Sequence, residues 1–186
     1  MDWLRVTRVT PSSDSILSVE EARIHLRATD ESDDAYIESL ISTATNFIEG
    51  PTGAGVAVLP AQWRLSMDNL PRCFDIDLCP VQTVDSITVD GVVVPTSAYD
   101  VDLDSTPARI VGSYAPVAYV GNGKVKVTFT AGYDEVPADL KHCALLIIGH
   151  LYENREAAVA GGTSMEVTEV PFAVNAILNR YRAYGC

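Results

Sequence analysis

Positive charge is what this chain has least of. It carries 13 Lys and Arg against 25 Asp and Glu, a formal net charge of −12. A protein that grips a nucleic-acid backbone draws its affinity from Lys and Arg that displace counterions, so this balance argues against such a grip. Residues 33–49, patterned as a helix, contain no Lys or Arg, which argues against a helix-turn-helix reader on the first two helices. Long apolar runs are missing as well: none approaches the ~20 residues that cross a bilayer. The opening MDWLRVTRVTPSSDS lacks the continuous apolar stretch of a signal peptide. The expectation is a soluble protein, made and kept in a cytoplasm, with no membrane partner.

Metal-ligating and nucleophilic residues are also few. There are four cysteines, Cys73, Cys79, Cys143 and Cys186, and three histidines, His25, His142 and His150. The spacing of Cys73 and Cys79 matches no common zinc site, and a reducing compartment does not favour disulfides. His142 and His150 fall on one helical side about two turns (~12 Å) apart, too far for one zinc ion to bridge. Asp100, Asp102 and Asp104 begin like a calcium loop, but Ser105 and Val111 stand where that loop needs Gly and Glu. The pattern reads instead as a strand with Tyr99, Val101 and Leu103 inward and three aspartates in water. Gly121–Lys124 (GNGK) is followed by Val125 where a phosphate loop needs Ser or Thr, and reads as a hairpin turn. No G-x-S-x-G nucleophile elbow occurs, although triads assemble in space and sequence alone does not exclude them. No catalytic residue, cofactor or metal ligand is expected.

What the chain does have is a core. Of its 186 residues, 47% are hydrophobic, enough to fold one domain with or without arms. Residues 1–16 read as an irregular or partly extended arm. Ser18 with Glu21 three positions later forms a capping box that opens a short helix, its apolar side made by Val19, Ala22 and Leu26. Tyr36, Ile37, Leu40, Ile41, Ala44, Phe47 and Ile48 pattern a second helix, closed by Gly50 and Pro51. Together these helices occupy residues 17–50.

Residues 61–132 read as β structure, with candidate strands Gln62–Met67, Phe74–Leu78, Val84–Val89 with Val92–Val94, Tyr99–Leu103, Arg109–Val111 and Lys124–Thr130. Asp90–Gly91 and Asn122–Gly123 are hairpin-turn pairs. Pro137 then opens a helix over 137–156 carrying Leu140, Ala144, Ile147, Ile148 and Leu151 at helical spacing. Residues 157–169, with Gly161–Gly162 at their centre, read as a flexible loop. A final amphipathic helix over 171–183 carries Val174, Ile177, Leu178 and Tyr181, and its stripe either closes the protein's own bundle or docks into a partner. The fold class is α+β: about four helices in a small bundle, with a β-rich insertion between the second and third.

That order, together with particular stretches, resembles the head–tail connector (adaptor) family of tailed bacteriophages, including prophage and gene transfer agent relatives. The resemblance is carried by SVEEARIHLR, DDAYIESLISTATNFIE, QWRLSMDNLP, IDLCPVQTVDSITVDG, the AGY-x-x-VP joint leading into a helix that closes on YENRE, and PFAVNAILNRYR. It covers nearly the whole chain, although some relatives run on into a longer tail after the last helix. It implies a non-enzymatic ring component, typically of twelve subunits, beneath the portal of a DNA-filled capsid. Its implied partners are itself, the portal protein and the next neck, stopper or tail-completion protein, with DNA passing through unbound. The implied place is the head–tail interface of a particle assembled in the bacterial host cytoplasm.

The alternatives are another neck component, such as a stopper or tail-completion protein, or a metal-dependent phage hydrolase or nuclease. Candidate contact residues are Glu153, Arg155 and Glu156 at the end of the third helix, and Phe172, Ile177, Leu178, Arg180, Tyr181 and Arg182 on the last.

An acidic conduit contains DNA without holding it. Non-specific binders reach ~10⁻⁴ to 10⁻⁶ M near physiological salt through several cationic contacts. Fluorescence anisotropy with a labelled duplex should show no binding in that range; micromolar affinity that weakens steeply with salt would contradict the passive reading.

Overall fold

A computed structural model describes residues 5–10, 15–28, 30–50, 55–113, 124–154 and 172–181. In chain order it places β1 (Arg5–Arg8), α1 (Val19–Leu26) and α2 (Asp34–Ile48) first. Seven strands follow: β2 (Ala61–Met67), β3 (Cys73–Ile76), β4 (Val81–Val89), β5 (Val92–Val93), β6 (Tyr99–Asp102), β7 (Ala108–Gly112) and β8 (Val125–Ala131). Helices α3 (Ala138–Glu153) and α4 (Phe172–Leu178) close the order. The fold is α+β, with a β-rich stretch between the second and third helices. The strand β1 is an addition: part of the N-terminal arm is ordered as the edge of a sheet, antiparallel to β2.

The helices form where local chemistry satisfies their ends. Ser18 Oγ accepts from the Glu21 N–H at 3.1 Å, and the Glu21 carboxylate accepts from the Ser18 N–H at 2.8 Å, so both halves of the capping box are made. These bonds hold the Glu21 carboxyl below its ordinary range. Helix α2 stops where Glu49 turns extended and Gly50 takes φ +86°. At its other end Asp33 makes no side-chain cap. Its carboxylate instead accepts from the Tyr152 hydroxyl of α3 at 2.6 Å.

Pro137 lies one residue outside α3. Its ψ of 139° is extended, which is the conformation of a cap and not of a first helical residue.

Leu40, Ile41 and Ile48 of α2 share one buried cluster with Leu140, Ile147 and Ile148 of α3. Ala22 of α1 and Val174 and Leu178 of α4 join the same cluster, and α3 touches each of the other three helices.

The strands make two antiparallel sheets, one of five strands in the order β1-β2-β8-β4-β5 and one of three in the order β3-β7-β6. Period-two alternation sends Trp63, Leu65, Val127, Phe129 and Ile87 of the first sheet, and Ile76, Tyr99 and Ile110 of the second, into one shared core. Asp90 and Gly91, at φ +50° and +84°, make the tight turn between β4 and β5. Asn122–Gly123 lies outside the described residues. Leu103, expected inward, is 43% exposed, because β6 ends at Asp102 and its alternation ends there too. The Asp102 carboxylate accepts from the backbone N–H groups of Asp104 and Ser105 at 3.0 and 3.2 Å, which turns the chain toward β7 and holds that carboxyl below its ordinary range.

The joint between sheet and helices is Gly132. Its φ is +138°, and a Cβ there would lie 2.5 Å from the Pro60 nitrogen and inside contact distance of the Leu59 carbonyl. Its N–H donates to the Pro80 carbonyl at 3.0 Å, and its own carbonyl accepts from Gln82 Nε2 at 2.9 Å. Gly149, inside α3, is the opposite case: a Cβ would meet His25 Nε2 at an ordinary 3.6 Å. Urea unfolding should therefore separate the two glycines. Gly132→Ala should lose about 3 kcal/mol or more, whereas Gly149→Ala should gain roughly 0.5–1 kcal/mol from helix propensity.

Candidate partner-binding surfaces

The residues singled out from sequence fall into three groups. Arg155, Glu156 and Arg182 lie outside the described residues. Glu153 is the last residue of α3 and is exposed. Just beyond it, Asn154 closes the helix through its N–H and its side-chain amide, which donate to the His150 carbonyl at 3.2 and 2.7 Å.

The third group belongs to α4, which begins at Phe172 and lies along α3. Val174 is fully buried and Leu178 is 3% exposed, both within the helical core. Ile177 is half-buried and packs at the margin of that core. The apolar stripe of α4 thus closes the protein's own helical layer, one of the two roles the sequence left open. The helix is shorter than 171–183. After Leu178 the chain tightens into turns, with the N–H groups of Arg180 and Tyr181 donating to Ile177 and Leu178 carbonyls, each at 3.0 Å.

Arg180 reaches back to the first turn of α3, where Nη1 donates to Asp139 Oδ2 at 3.2 Å. The side chains are 72% and 48% exposed, so this pair is solvated and contributes little to stability. Tyr181 is half-buried. Burial first, then the neighbouring Asp139 carboxylate, raise its phenol above the ordinary tyrosine range.

Tyr181 and Arg180 form one wall of a cleft of about 190 Å³. Tyr133 from the Gly132 joint, Cys79, Leu103 and Thr106 help form the rest. Burial raises the Tyr133 phenol and the Cys79 thiol, away from the ionised forms that act as nucleophiles. Cys143 is more deeply sequestered. Its thiol is pushed up to about 11 by burial and sits 4.0 Å from the Val174 carbonyl, packed where α4 crosses α3.

His142 is exposed, His25 rests beside Gly149 on α1, and His150 stands 3.5 Å from the Asn154 amide. Among the described residues no three His, Cys, Asp or Glu side chains converge to hold a metal ion. No helix among them is long and apolar enough to cross a membrane.

Sequence reasoning missed a buried polar joint. Glu49, 6% exposed at the end of α2, accepts from Arg8 of β1 through Oε2 and from the Val58 N–H through Oε1 at 3.2 Å. Arg8 also lies over the Trp63 ring, 4.8 Å from its centroid. A signal was present: Arg8 and Trp63 sit in short segments of alternating pattern. Their pairing across more than fifty residues was not readable.

Residues 15–184 match the family model described as Head completion protein. No curated protein matches the chain. Among solved structures, a chain from "Neck of empty GTA particle computed with C6 symmetry" superposes with a TM-score of 0.74 at 26% identity, covering 98% of this chain and 97% of that one. A chain from "Virion of native gene transfer agent (GTA) particle" superposes with a TM-score of 0.72 at 27% identity, covering 97% and 96%. A third, from "Neck of native GTA particle computed with C12 symmetry", shares the fold with a TM-score of 0.66 at 22% identity over 98% and 97%.

The placement of α4 predicts a split between two neighbouring substitutions. Leu178→Ala should cost about 2–4 kcal/mol in chemical unfolding, by emptying a site in the helical core. Arg180→Ala should stay within about 0.5 kcal/mol of the parent, because its ion pair is open to water. Equal effects would mean that Leu178 does not pack into the helical core.

Proposed function

This chain belongs to the head completion protein family, and we propose that it is a structural head–tail adaptor in the neck of a phage or phage-like particle. The observation that carries the reading is its full-length likeness to a gene transfer agent neck chain, at 26% identity and with nearly the whole of both chains aligned. The likeness runs over both the helical layer and the β-sandwich, which supports reading the two together as one assembly unit.

In this reading the chain works by shape and contact, without catalysis. Copies form a ring, twelve in number, beneath the portal, extend the DNA channel and present a platform for the next neck or tail-completion protein. The C12 symmetry applied to one similar neck supports a ring of this order. The four helices act as a small bundle built on α3, and the sandwich projects from it through the Gly132 joint. The acidic balance suits a conduit, since carboxylates repel phosphates and let a duplex slide. Assembly takes place in the host cytoplasm, and the protein then resides at the head–tail interface.

The attachment surface is assigned to exposed Glu153 and Arg180 with half-buried Ile177 and Tyr181; Phe172, which opens α4, and Arg155, Glu156 and Arg182, which lie outside the described residues, are assigned to it from the sequence. Leu178 anchors this surface to α3 and is not itself a contact.

Cryo-electron microscopy of particles made with and without the gene tests the reading. Density for this chain should form a ring between portal and tail, and particles lacking the gene should lose that ring and the tail beyond it. Density elsewhere in the particle, or complete necks without the gene, would overturn the assignment.

A further inference from the structure

The two sheets share one core, so their outer faces look in opposite directions, and those faces carry opposite charge. On the five-stranded sheet, the residues that alternate with buried Trp63, Leu65 and Val127 point outward. Among them are Arg64 on β2 and Lys126 on β8, and Arg5 on β1 joins them. Ser66 stands opposite both Arg5 and Lys126, and Arg64 lies on the diagonal to each. With strands ~4.8 Å apart, the three cations stand within roughly 10 Å of one another. None of the three forms an ion pair among the described residues. The Asp85 carboxylate, beside Gln62 and Thr130, accepts from Gln62 and Thr83 at 3.0 and 2.9 Å and offsets one of the three charges, and Asp68 lies just past the end of β2. Three cations on one face with no ion pair among the described residues are unexpected in a chain with nearly twice as many acids as bases.

On the three-stranded sheet the outward positions are Asp75, Arg109 and Asp102 in one cross-strand row and Cys73, Val111 and Asp100 in the next. Arg109 bonds Asp75 at 2.8 and 3.2 Å and stands directly opposite Asp102, so one cation faces the carboxylates of Asp75, Asp100 and Asp102. Three carboxylates against one guanidinium leave the face with an excess of negative charge, and Asp104 lies just beyond. Val111, 42% exposed, and the exposed thiol of Cys73 give it a less polar centre, as a contact patch requires.

We propose that these two faces are the copy-to-copy contact of the ring: the five-stranded sheet of one copy docks on the three-stranded sheet of the next. The inference rests on the reading of the chain as a ring component, and it names the surfaces that close the ring. A heterologous contact needs two different, complementary patches on each copy. Placing them on opposite sides of the subunit favours a large ring, since twelve copies turn by only about 30° from one to the next. DNA is the other polyanion that could meet the basic face. Three cations supply few phosphate contacts, whereas they match the excess carboxylates of the opposite sheet.

The test uses the full chain in sedimentation equilibrium, at low salt and at about 0.5 M salt. The parent should self-associate at low salt and dissociate as salt rises. Arg64→Glu with Lys126→Glu, and separately Asp100→Lys with Asp104→Lys, should each weaken association by about tenfold or more without shifting thermal unfolding. Mixing the two variants should restore it, because each supplies the reversed face the other needs. A strictly monomeric parent at low salt, association insensitive to both reversals, or failure of the mixture to recover would overturn the contact. So would a basic-face variant that loses duplex affinity in a parallel titration while associating normally. The neck assignment is read by imaging, so a ring seen in particles alongside any of these results would reject this contact alone.

Discussion

At Gly132 two stretches of backbone pass too close for any side chain to stand between them. The last strand of the five-stranded sheet ends there, the chain at Leu59–Pro60 crosses over it, and α3 begins six residues later. The crossing ties together the start of the first strand after α2, the start of β4 through the Pro80 carbonyl, and the exit into α3. Because a left-handed φ and a missing Cβ are both required, the position admits glycine alone at low cost. The helical layer and the sandwich have separate hydrophobic clusters, and this joint fixes how one is mounted on the other. Every surface discussed above inherits its direction from it.

A second joint works through charge. Glu49 ends α2 inside the protein, where an uncompensated carboxylate would be expensive. Arg8 supplies the compensation from the N-terminal strand, and the Val58 N–H supplies the rest. Breaking a buried pair by removing one member costs about 3–5 kcal/mol, far more than the pair contributes when intact. The arrangement therefore specifies position more than it adds stability. It commits the edge strand β1 to the sheet and brings Arg5 onto the outer face beside Arg64 and Lys126.

Local features were legible in the sequence, and distant ones were not. The capping box at Ser18 and Glu21, the apolar spacing from Ile37 to Ile48, the alternation of β8 and the Asp90–Gly91 turn each depend on neighbours within a few residues. Each stands where its pattern puts it. Misplaced features share another cause. Pro137 satisfies the rule for a first helical residue, yet the extended joint reaches one residue further and makes it a cap. Leu103 fits an inward alternation, but Asp102 bends the chain first by taking two backbone N–H groups. Arg5–Arg8 reads as a partly extended arm, and its pairing with β2, with Arg8 held by the Glu49 carboxylate and over the Trp63 ring, depends on residues far along the chain. The stripe of α4 was visible, but whether it served the chain's own core or a partner depended on the space beside Cys143 on α3.

The candidate surfaces follow the same division. Composition shows an acid excess but not its distribution, and distribution is what assembly uses. Antiparallel register sorts charges by parity: a residue shifted by one along β2 or β7 would move to the core side and carry its charge out of reach. Arg64 faces outward because Trp63 and Leu65 must face inward, and Asp100 faces outward because Tyr99 and Val101 pack inside. The hydrophobic alternation that builds the sandwich therefore also lays cations on one of its faces and carboxylates on the other. A chain whose net charge favours repulsion between copies can still associate side to side, because the attraction is set by the two faces that meet.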